Sequence, residues 1–493
     1  MSVTKLPDWL RIEMKVLEIC QRIEETGWLV NREEILQHIE TLKLMKTSLE
    51  DVILPQIPLI PTALEAWSEK DEEDNILEYK YVKKPFLKSG KWNKHVEEYW
   101  DDREQSIPNG KDYDTNRSRI KETGEIIKWS IGGPYTRVAF EQIKLTSDQQ
   151  VKKYLLSVGW QPIEWNISKQ GKNKGKVTSP KITEESLDSI DNNVGRLIAQ
   201  YLKACHRQSQ LEGWLNHIRP DGRLPMVIDP QGTPTGRATH KNIVNVPSVD
   251  KAPFFAKEMR SVFIAKPGYV LVGCDSMSDQ IRKLCHYMGD EEFTYAVVHG
   301  KKEDGTDMHS LNMRRGNLPS RGHAKNFFYG AIMFGAGDLK TGKLLQIKGS
   351  DEVKKKAGRA AKETYWKGLP KYKELLDGLQ HSYKQRGYIL ALDGRPLFPR
   401  KDNDCMAYLI QGAEAVMMKL ALCYIDYWVQ AEGLDAKLVG WYHDEYTLEV
   451  RKDQAERVKW LAEEAIRQAG RDYNLLVPSD GEGKIGNNWY EIH

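Results

Sequence analysis

Cysteine is scarce in this chain of 493 residues, which contains six of them. They are scattered over positions 20, 205, 274, 285, 405 and 423, and no two form a Cys-x-x-Cys pair. This distribution excludes a disulfide-rich secreted scaffold and the common zinc-binding spacings, because both need paired or closely spaced cysteines. It favours a reducing compartment.

Long apolar runs and a strong net charge are also missing. No run of about eighteen apolar residues occurs, and the first residues lack the charged-then-apolar pattern of a signal peptide. We therefore expect a cytoplasmic protein with no membrane partner, in the host cell cytoplasm if it is viral. A net charge of +3 does not indicate a polyanionic ligand, so positive charge that binds one has to be local.

Two strand-like apolar runs each deliver a carboxylate at their end. Residues 269–275 end in Asp275, and residues 438–445 end in His443, Asp444 and Glu445. The β-rich residues on both sides of the second group predict a hairpin whose turn carries these three residues. An ordinary polar turn would explain the second group alone. Two such ends together indicate phosphoryl transfer, because paired hard cations such as Mg²⁺ bind carboxylate oxygens and stabilise attacking and leaving oxygens.

A helical face with two cations supports the same chemistry. Arg321, Lys325 and Tyr329 are spaced by four residues, which places them on one face of a predicted helix. Arginine and lysine bind phosphate oxygens, and a tyrosine ring can stack on a base. A solvated Arg/Lys stripe is the plain alternative for this segment taken alone.

These blocks, in this order, resemble motifs A, B and C of a family A DNA polymerase of the bacteriophage replicative type. Further matching segments lie at residues 235–240, 242–247, 260–263, 307–309, 392–395, 411–415 and 483–489. The similarity is continuous from about residue 8 to the C-terminus. It implies a template-directed DNA polymerase that adds deoxynucleotides to a primer 3′ end on primer-template DNA.

The resemblance implies a right-hand architecture of the α/β class, with an α+β palm and a largely helical thumb and fingers. We expect a thumb-like helical region at residues 1–222, palm segments at 223–300 and 396–493, and fingers at 301–395. Apolar positions at helical spacing predict long helices over residues 8–50. An insertion at about 55–135 would contact DNA or bind a processivity factor.

Roles for single residues also follow from the resemblance. Two Mg²⁺ ions, for which Mn²⁺ can substitute, would be bound by Asp275, Asp444 and the backbone carbonyl of Ser276. The deoxynucleoside triphosphate would be bound by Arg321, Lys325, Tyr329, His309 and Gln280, and Lys325 would also offer a proton to pyrophosphate. Primer-template contacts would come from Arg237, Gln411, His443, Arg395 and Asn245. Glu445 would support the metal ligands from behind.

The sequence departs from the family pattern at four places. Gln280 stands where the family usually has a glutamate that excludes ribonucleotides, and Ala407 stands where an asparagine is common. One extra residue precedes Phe334, so either the helix contains a local bulge or Phe334 lies on a shifted face. A proofreading exonuclease does not precede the thumb-like region, so we expect no proofreading from this chain.

Two other functions remain as alternatives. A single-subunit RNA polymerase shares the aspartates and the Arg-Lys-Tyr helix, but Glu445 after Asp444 favours the DNA enzyme. A non-catalytic nucleic-acid-binding protein on a polymerase fold is disfavoured because Asp275, Asp444, Arg321 and Lys325 are all present.

Overall fold

The computed structural model describes residues 7–58, 60–63, 138–168, 170–187, 190–250 and 252–493. Most of the expected insertion at 55–135 lies outside these residues, and so does the expected binding of a processivity factor there. The helices are α1 (Asp8–Thr26), α2 (Arg32–Ile53), α3 (Asp148–Ser157), α4 (Glu184–Leu187), α5 (Asn193–Leu215), α6 (Ala256–Ser261), α7 (Asp279–Met288), α8 (Glu291–Val298), α9 (Met308–Arg315), α10 (Arg321–Phe327), α11 (Asp338–Leu344), α12 (Asp351–Gly368), α13 (Pro370–Arg386), α14 (Cys405–Ala431) and α15 (Ala455–Asp472).

The strands are shorter and form six small sheets in the described part of the chain. They are β1 (Trp28–Leu29), β2 (Ile60–Ala63), β3 (Val138–Glu141), β4 (Glu164–Ile167), β5 (Val177–Lys181), β6 (Arg223–Leu224), β7 (Val227–Asp229), β8 (Thr239–Lys241), β9 (Tyr269–Ser276), β10 (Ile389–Leu390), β11 (Pro396–Leu397), β12 (Ala436–Tyr442), β13 (Glu445–Arg451) and β14 (Gly481–Gly486). The predicted helices near the N-terminus are confirmed as α1 and α2, and the predicted hairpin is confirmed as β12 and β13.

The chain forms two compact units, one of residues Met1–Leu36 with Glu212–His493 and one of residues Gln37–Leu211. In the second unit, buried residues of α2, α3 and α5, such as Ile53, Leu155 and Tyr201, share one core. The strands β4 and β5 pair as an antiparallel hairpin.

The first unit is organised around a four-stranded antiparallel sheet in the order β12-β13-β9-β14. The inner strand β9 is apolar over most of its length, and its residues Val270, Leu271, Val272 and Cys274 are all buried. A strand that is covered on both faces loses the polar alternation of a surface strand. Its first polar side chain at the C-terminal end is that of Asp275, which is exposed.

A bulge in β12 brings its backbone against an aromatic cluster. The register of β12 and β13 shifts between Leu438 and Gly440. A Cβ atom on Gly440 would lie 2.8 Å from the ring of Trp28. Trp28 in turn packs on Phe263 and Trp489, with ring centroids 5.5 and 5.2 Å away. Glycine is therefore required at this position for the strand to pack closely.

The long helix α14 passes through the core of the first unit. Among the described helices, the segment Asp402–Ala431 has the length and apolarity of a membrane span, but 83% of its most apolar window is buried inside the protein. Burial in the core accounts for its apolar composition. α14 has 27 residues, from Cys405 to Ala431.

Capping side chains in residues 290–350 determine where four helices begin. Asp290, Asp307, Ser320 and Ser350 each accept a hydrogen bond from a backbone N–H in the first turn of α8, α9, α10 and α12. Such caps satisfy donors that the helix itself leaves unpaired. Phe293, Phe327, Phe328, Tyr365 and Tyr372 then share one buried core.

Candidate active site

The sheet places three carboxylates in one row across three strands. Asp275 on β9 is directly opposite Glu445 on β13 and Glu482 on β14. Residues opposite each other in an antiparallel pair have Cβ atoms about 4.5–5.5 Å apart. The two acidic strand ends that the sequence indicated are thus neighbours in the fold, and Glu482 joins them.

The turn of the hairpin presents Asp444 beside this row. His443 and Asp444 connect Tyr442 to Glu445, and His443 adopts a left-handed backbone conformation with φ 49°. The backbone N–H of Ser276 donates to the backbone carbonyl of Asp444 at 2.9 Å. The indole N–H of Trp441 donates to the carbonyl of His443 at 3.2 Å. These bonds hold the turn against the end of β9, so Asp275 and Asp444 belong to one site.

Burial and neighbouring negative charges raise the pKa values of two of these carboxylates. Partial burial, with the charges of Asp444, Glu482 and Asp279, raises the pKa of Asp275 to about 7. Burial and the charges of Asp275 and Asp444 raise the pKa of Glu445 to about 8. Like charges at short range disfavour the ionised form of each group. The positive charge of Lys484 opposes the rise in the pKa of Asp275, and that of Arg260 opposes the rise in the pKa of Glu445, but neither cancels it.

The donor set fits a hard divalent cation. Carboxylate and backbone carbonyl oxygens are the ligands that Mg²⁺ prefers, and a cation would relieve the repulsion that raises the pKa of Asp275. No group of three or more His, Cys, Asp or Glu side chains in the described residues has the geometry of a metal site by itself. A metal here would therefore need ligands from bound substrate or water in addition to the protein.

A buried ion pair supports the end of β9 from below. Asp279 Oδ1 accepts hydrogen bonds from the Ser276 hydroxyl at 3.0 Å and from Lys283 Nζ at 2.6 Å. The side chains of Lys283 and Asp279 are 0% and 2% exposed. Lys283 also contacts Met417 Sδ at 2.9 Å and the hydroxyl of Ser479 at 3.4 Å. Asp279 thus helps to hold Ser276 in place.

The predicted cationic helical face of Arg321, Lys325 and Tyr329 lies within the described residues. Its first residue, Arg321, is bound by an aspartate. Both Nε and Nη2 of Arg321 donate to the carboxylate of Asp307 at 3.0–3.2 Å. Burial alone would raise the pKa of Asp307, but hydrogen bonds from Arg321, Ser310 and the His309 backbone lower it to about 2. Asp307 is therefore an anion that fixes the orientation of the Arg321 guanidinium.

His309 lies next to this pair and close to Tyr329, with ring centroids 5.9 Å apart. Burial and the charges of Arg321 and Lys325 lower the pKa of His309 to about 4. The four residues predicted to bind phosphate and base therefore lie in one group. At neutral pH the group carries the two charges of Arg321 and Lys325, and His309 is an uncharged member.

We expect the imidazole of His309 to stay neutral at about pH 6, where an exposed histidine is largely protonated. An NMR titration of ¹⁵N-labelled imidazoles measures this directly, and the His309→Gln variant assigns the signal. Because desolvation and two nearby cations both oppose protonation, the midpoint should fall well below that of the same residue in urea-unfolded protein. A midpoint near 6.5 in the folded chain would contradict the placement of His309.

A π-helical turn accommodates the extra residue before Phe334. The α-helix ends at Phe327, and Phe328–Met333 continue as a π-helix. A π-turn takes up one additional residue without breaking the helix. The local bulge, one of the two alternatives from the sequence, is thus confirmed. Phe334 follows the turn and is exposed. Gly335 has φ 63°, and a Cβ atom there would clash with the backbone carbonyl oxygen of Asn403.

Four of the five predicted primer-template residues line one open cleft of ≈ 740 Å³. They are Arg237, Asn245, Gln411 and His443. His443 connects this cleft to the carboxylates, because it precedes Asp444 in the turn. His240 also lines the cleft and packs edge-on against His443, with ring centroids 5.4 Å apart. The cleft and the carboxylate row therefore meet at the hairpin turn.

Arg395 lies elsewhere and has different partners. Its guanidinium bonds to the carboxylates of Glu13 and Asp393 and is mostly buried. Glu13 also accepts two hydrogen bonds from Lys419 Nζ at 2.8 Å. Arg395 thus joins α1 to α14 through a buried ion cluster, and the expected contact with primer-template is not supported by its position.

Glu414 is the site residue that sequence reasoning missed. It is almost fully buried in α14, and its Oε2 accepts hydrogen bonds from Gln280 Nε2 at 2.9 Å and from Arg237 Nη2. Burial, with the charges of Asp279 and Asp444, raises its pKa to about 7 despite the opposing charge of Arg237. The available signal was a lone carboxylate inside an otherwise uncharged stretch of the long apolar helix.

Known proteins match this chain over most of its length. The family model described as DNA polymerase family A matches residues 132–491. The chain is 30% identical over 399 residues to the DNA-directed DNA polymerases of Enterobacteria phage T3 and Escherichia phage T7, covering 73% of this chain and 54% of each relative. It is 26% identical over 364 residues to DNA polymerase I of Aquifex aeolicus, covering 70% of this chain and 59% of that protein. The chain thus spans about half the length of the phage relatives.

A solved structure shows the same fold at low sequence identity. The POL domain of Pol1 from M. smegmatis, in complex with DNA primer-template and dNTP, superposes with a TM-score of 0.66 and 16% identity. The match covers 97% of this chain and 70% of that one. The mixed α/β architecture is therefore that of a polymerase domain. Together with the family match over most of its length, this shows that the chain belongs to DNA polymerase family A.

Proposed function

We propose that this chain is a template-directed DNA polymerase that adds deoxynucleotides to the 3′ end of a primer. The observation that carries the proposal is the register that places Asp275 opposite Glu445, with Asp444 bonded through its backbone to Ser276. A purely structural role does not readily explain several carboxylates in one row of the sheet that raise one another's pKa values. A two-cation site for phosphoryl transfer does explain them.

Asp275, Asp444 and the backbone carbonyl of Ser276 would hold two Mg²⁺ ions, and Mn²⁺ could replace them. When bound, such ions lower the pKa of the primer hydroxyl and stabilise the charge on the leaving pyrophosphate. Glu445 is buried directly opposite Asp275 on the neighbouring strand and would support the two metal ligands. Its protonation in the metal-free site is consistent with that supporting role.

Arg321, Lys325 and His309 would hold the β- and γ-phosphates of a deoxynucleoside triphosphate. Asp307 keeps Arg321 in a fixed orientation, and a fixed guanidinium binds phosphate with a smaller loss of side-chain freedom. Lys325 can donate a proton to the leaving pyrophosphate. Tyr329 would stack on the incoming base, and its position beside His309 supports this role.

Primer-template DNA would occupy the cleft that contains Arg237, Asn245, Gln411 and His443. Arginine and glutamine side chains can donate to purine N3 and pyrimidine O2 in the minor groove, which are present in every correct base pair. Gln280 would lie against the sugar of the incoming nucleotide. In this proposal the palm consists of residues 223–300 and 396–493, the fingers of 301–395 and the thumb of residues before 223, and a processivity factor would bind at 55–135.

Primer extension tests the proposal directly. A labelled DNA primer on a DNA template is incubated with the chain, Mg²⁺ and either deoxy- or ribonucleoside triphosphates. Growth with deoxynucleotides that follows the template supports the proposal. Growth mainly with ribonucleotides would favour the RNA polymerase alternative, and tight binding without growth would favour a binding protein. A primer with a 3′ mismatch shows in the same assay whether this chain trims DNA.

Mg²⁺ binding is expected to release protons near neutral pH. Asp275 and Glu445, whose pKa values are raised to about 7 and about 8, are partly protonated in the metal-free chain. Because a cation binds the ionised form of its ligands, apparent Mg²⁺ affinity should rise as pH increases from about 6 to about 8. Calorimetric titration in two buffers with different ionisation enthalpies measures the released protons. The Asp275→Asn variant should release fewer, and a pH-independent affinity would contradict this electrostatic description.

A further inference from the structure

One carboxylate oxygen connects two residues that the proposed function places at different parts of the substrate. Oε2 of Glu414 accepts from Gln280 on α7 and from Arg237 in the segment between β7 and β8. We propose that Glu414 is a positioning residue that holds Gln280 and Arg237 in place, and thereby sets both sugar discrimination and the selection of a matched primer end. This inference rests on the proposed function and adds a specificity determinant to it.

Oε2 of Glu414 determines how Gln280 is oriented. This oxygen accepts from Gln280 Nε2 at 2.9 Å, so Gln280 turns its NH₂ group toward Glu414 and its carbonyl oxygen away. An amide at position 414 could meet either end of the Gln280 side chain. Glu414 therefore holds the bulk of the Gln280 side chain in one place. A side chain that excludes a 2′-hydroxyl by its bulk works only if it cannot move aside.

The same carboxylate holds Arg237 at the wall of the primer-template cleft. The Arg237 side chain is 18% exposed and bonds to Glu414, whose side chain is 1% exposed. Among the described residues, Nε of Arg237 and Oε1 of Glu414 have no hydrogen-bond partner. The guanidinium is thus anchored to Glu414 through Nη2, while its buried Nε has no partner. Hydrogen bonds between charged groups are stronger than neutral ones, so this anchor restricts Arg237 substantially.

The surroundings argue against a purely structural ion pair. Asp279 and Asp444 both act on Glu414 as neighbouring negative charges. A third carboxylate beside them is unfavourable for folding, because like charges at short range disfavour the ionised form of each group. The neighbouring Asp279 is already neutralised by Lys283. The position of Glu414 is therefore explained by the two side chains that it orients.

The test compares discrimination ratios among single and double variants of the full chain. For Glu414→Gln we expect the ratio of kcat/KM for deoxy- over ribonucleotides to fall about tenfold, which corresponds to the loss of one charge-assisted hydrogen bond. Extension of a 3′-mismatched primer relative to a matched one should rise by a similar factor. Gln280→Leu breaks the sugar-side bond without changing α14, so it should reproduce the first effect even if Glu414→Gln folds poorly.

A double-mutant cycle separates positioning from general damage. In the Gln280→Leu background, Glu414→Gln should cause no further loss of sugar discrimination but should still weaken mismatch rejection, because that effect runs through Arg237. Asp426→Asn is the matched control, since Asp426 is a buried carboxylate on the same helix that accepts from Arg22 at 2.7 Å. It should leave both ratios unchanged.

The outcomes distinguish this inference from the proposed function. If the unaltered chain does not extend a primer, the proposed function fails. If the unaltered chain extends primers and Glu414→Gln leaves both ratios unchanged, the inference fails alone. Equal effects of Glu414→Gln and Asp426→Asn, or full additivity of Glu414→Gln with Gln280→Leu in sugar discrimination, would also overturn it.

Discussion

Asp275→Asn is expected to reduce the rate of primer extension by about a thousandfold or more, with primer-template binding nearly unchanged. The replacement keeps the shape of the side chain but removes a negative charge at the end of β9. A bound metal ion contributes several kcal/mol of transition-state stabilisation, and each 1.36 kcal/mol is about tenfold in rate. Single-turnover extension measures the rate, and fluorescence anisotropy of labelled DNA measures binding.

Asp444→Asn should have an effect of the same order, because the backbone bond between Ser276 and Asp444 places both carboxylates at one site. Asp453→Asn is the control, since Asp453 follows β13 and forms an exposed ion pair with Arg451. Its rate should stay within about twofold of the unaltered chain, because exposed ion pairs contribute little. Similar losses for all three variants would show that the defect is not specific to the proposed metal ligands.

Lys283→Met is expected to lower the free energy of unfolding by about 3–5 kcal/mol. Both side chains of the Asp279–Lys283 pair are almost fully buried, so removal of the cation leaves Asp279 as an uncompensated charge. Methionine has a similar length and leaves no large cavity, which assigns the loss to charge rather than to packing. Denaturant unfolding followed by tryptophan fluorescence measures the change.

The double variant Asp279→Leu, Lys283→Met should recover most of this loss, because a buried ion pair replaced by apolar residues is often neutral for stability. Lys373→Met is a matched control, since Lys373 and Asp377 form a pair with the same spacing on the exposed surface of α13. It should cost less than about 1 kcal/mol. Equal losses at the buried and the exposed pair would contradict the assigned role of burial.

Much of the fold could be predicted because it depends on local patterns. The apolar strand that ends in Asp275, the hairpin around Asp444 and the long helix α14 all follow from side-chain periodicity and turn residues. The extra residue before Phe334 predicted either a bulge or a shifted face. Sequence alone left both open, because the choice depends on how α10 packs into the core of residues 290–370.

The contacts that the sequence could not supply join residues far apart in the chain. Arg395 and Glu13 are separated by 382 positions, and Arg237 and Glu414 by 177. Arg395 matched a motif that also contains its partner Asp393, but its other buried carboxylate partner, Glu13, lies far outside that motif. Asp279 and Lys283 are four positions apart in the sequence, so an ion pair between them could have been predicted. The burial of this pair beneath Ser276 could not.

The sequence by itself determined which chemistry this chain carries: two carboxylates at strand ends, a cationic helical face and the order of motifs that places it in its family. These features are local, since one turn or one helical face fixes their relative positions. Tertiary structure decided which carboxylates are neighbours, which arginine faces a cleft and which is buried, and that Glu414 joins Gln280 to Arg237. Strand register and helix packing set those relations, and both depend on the whole chain burying its apolar surface at once.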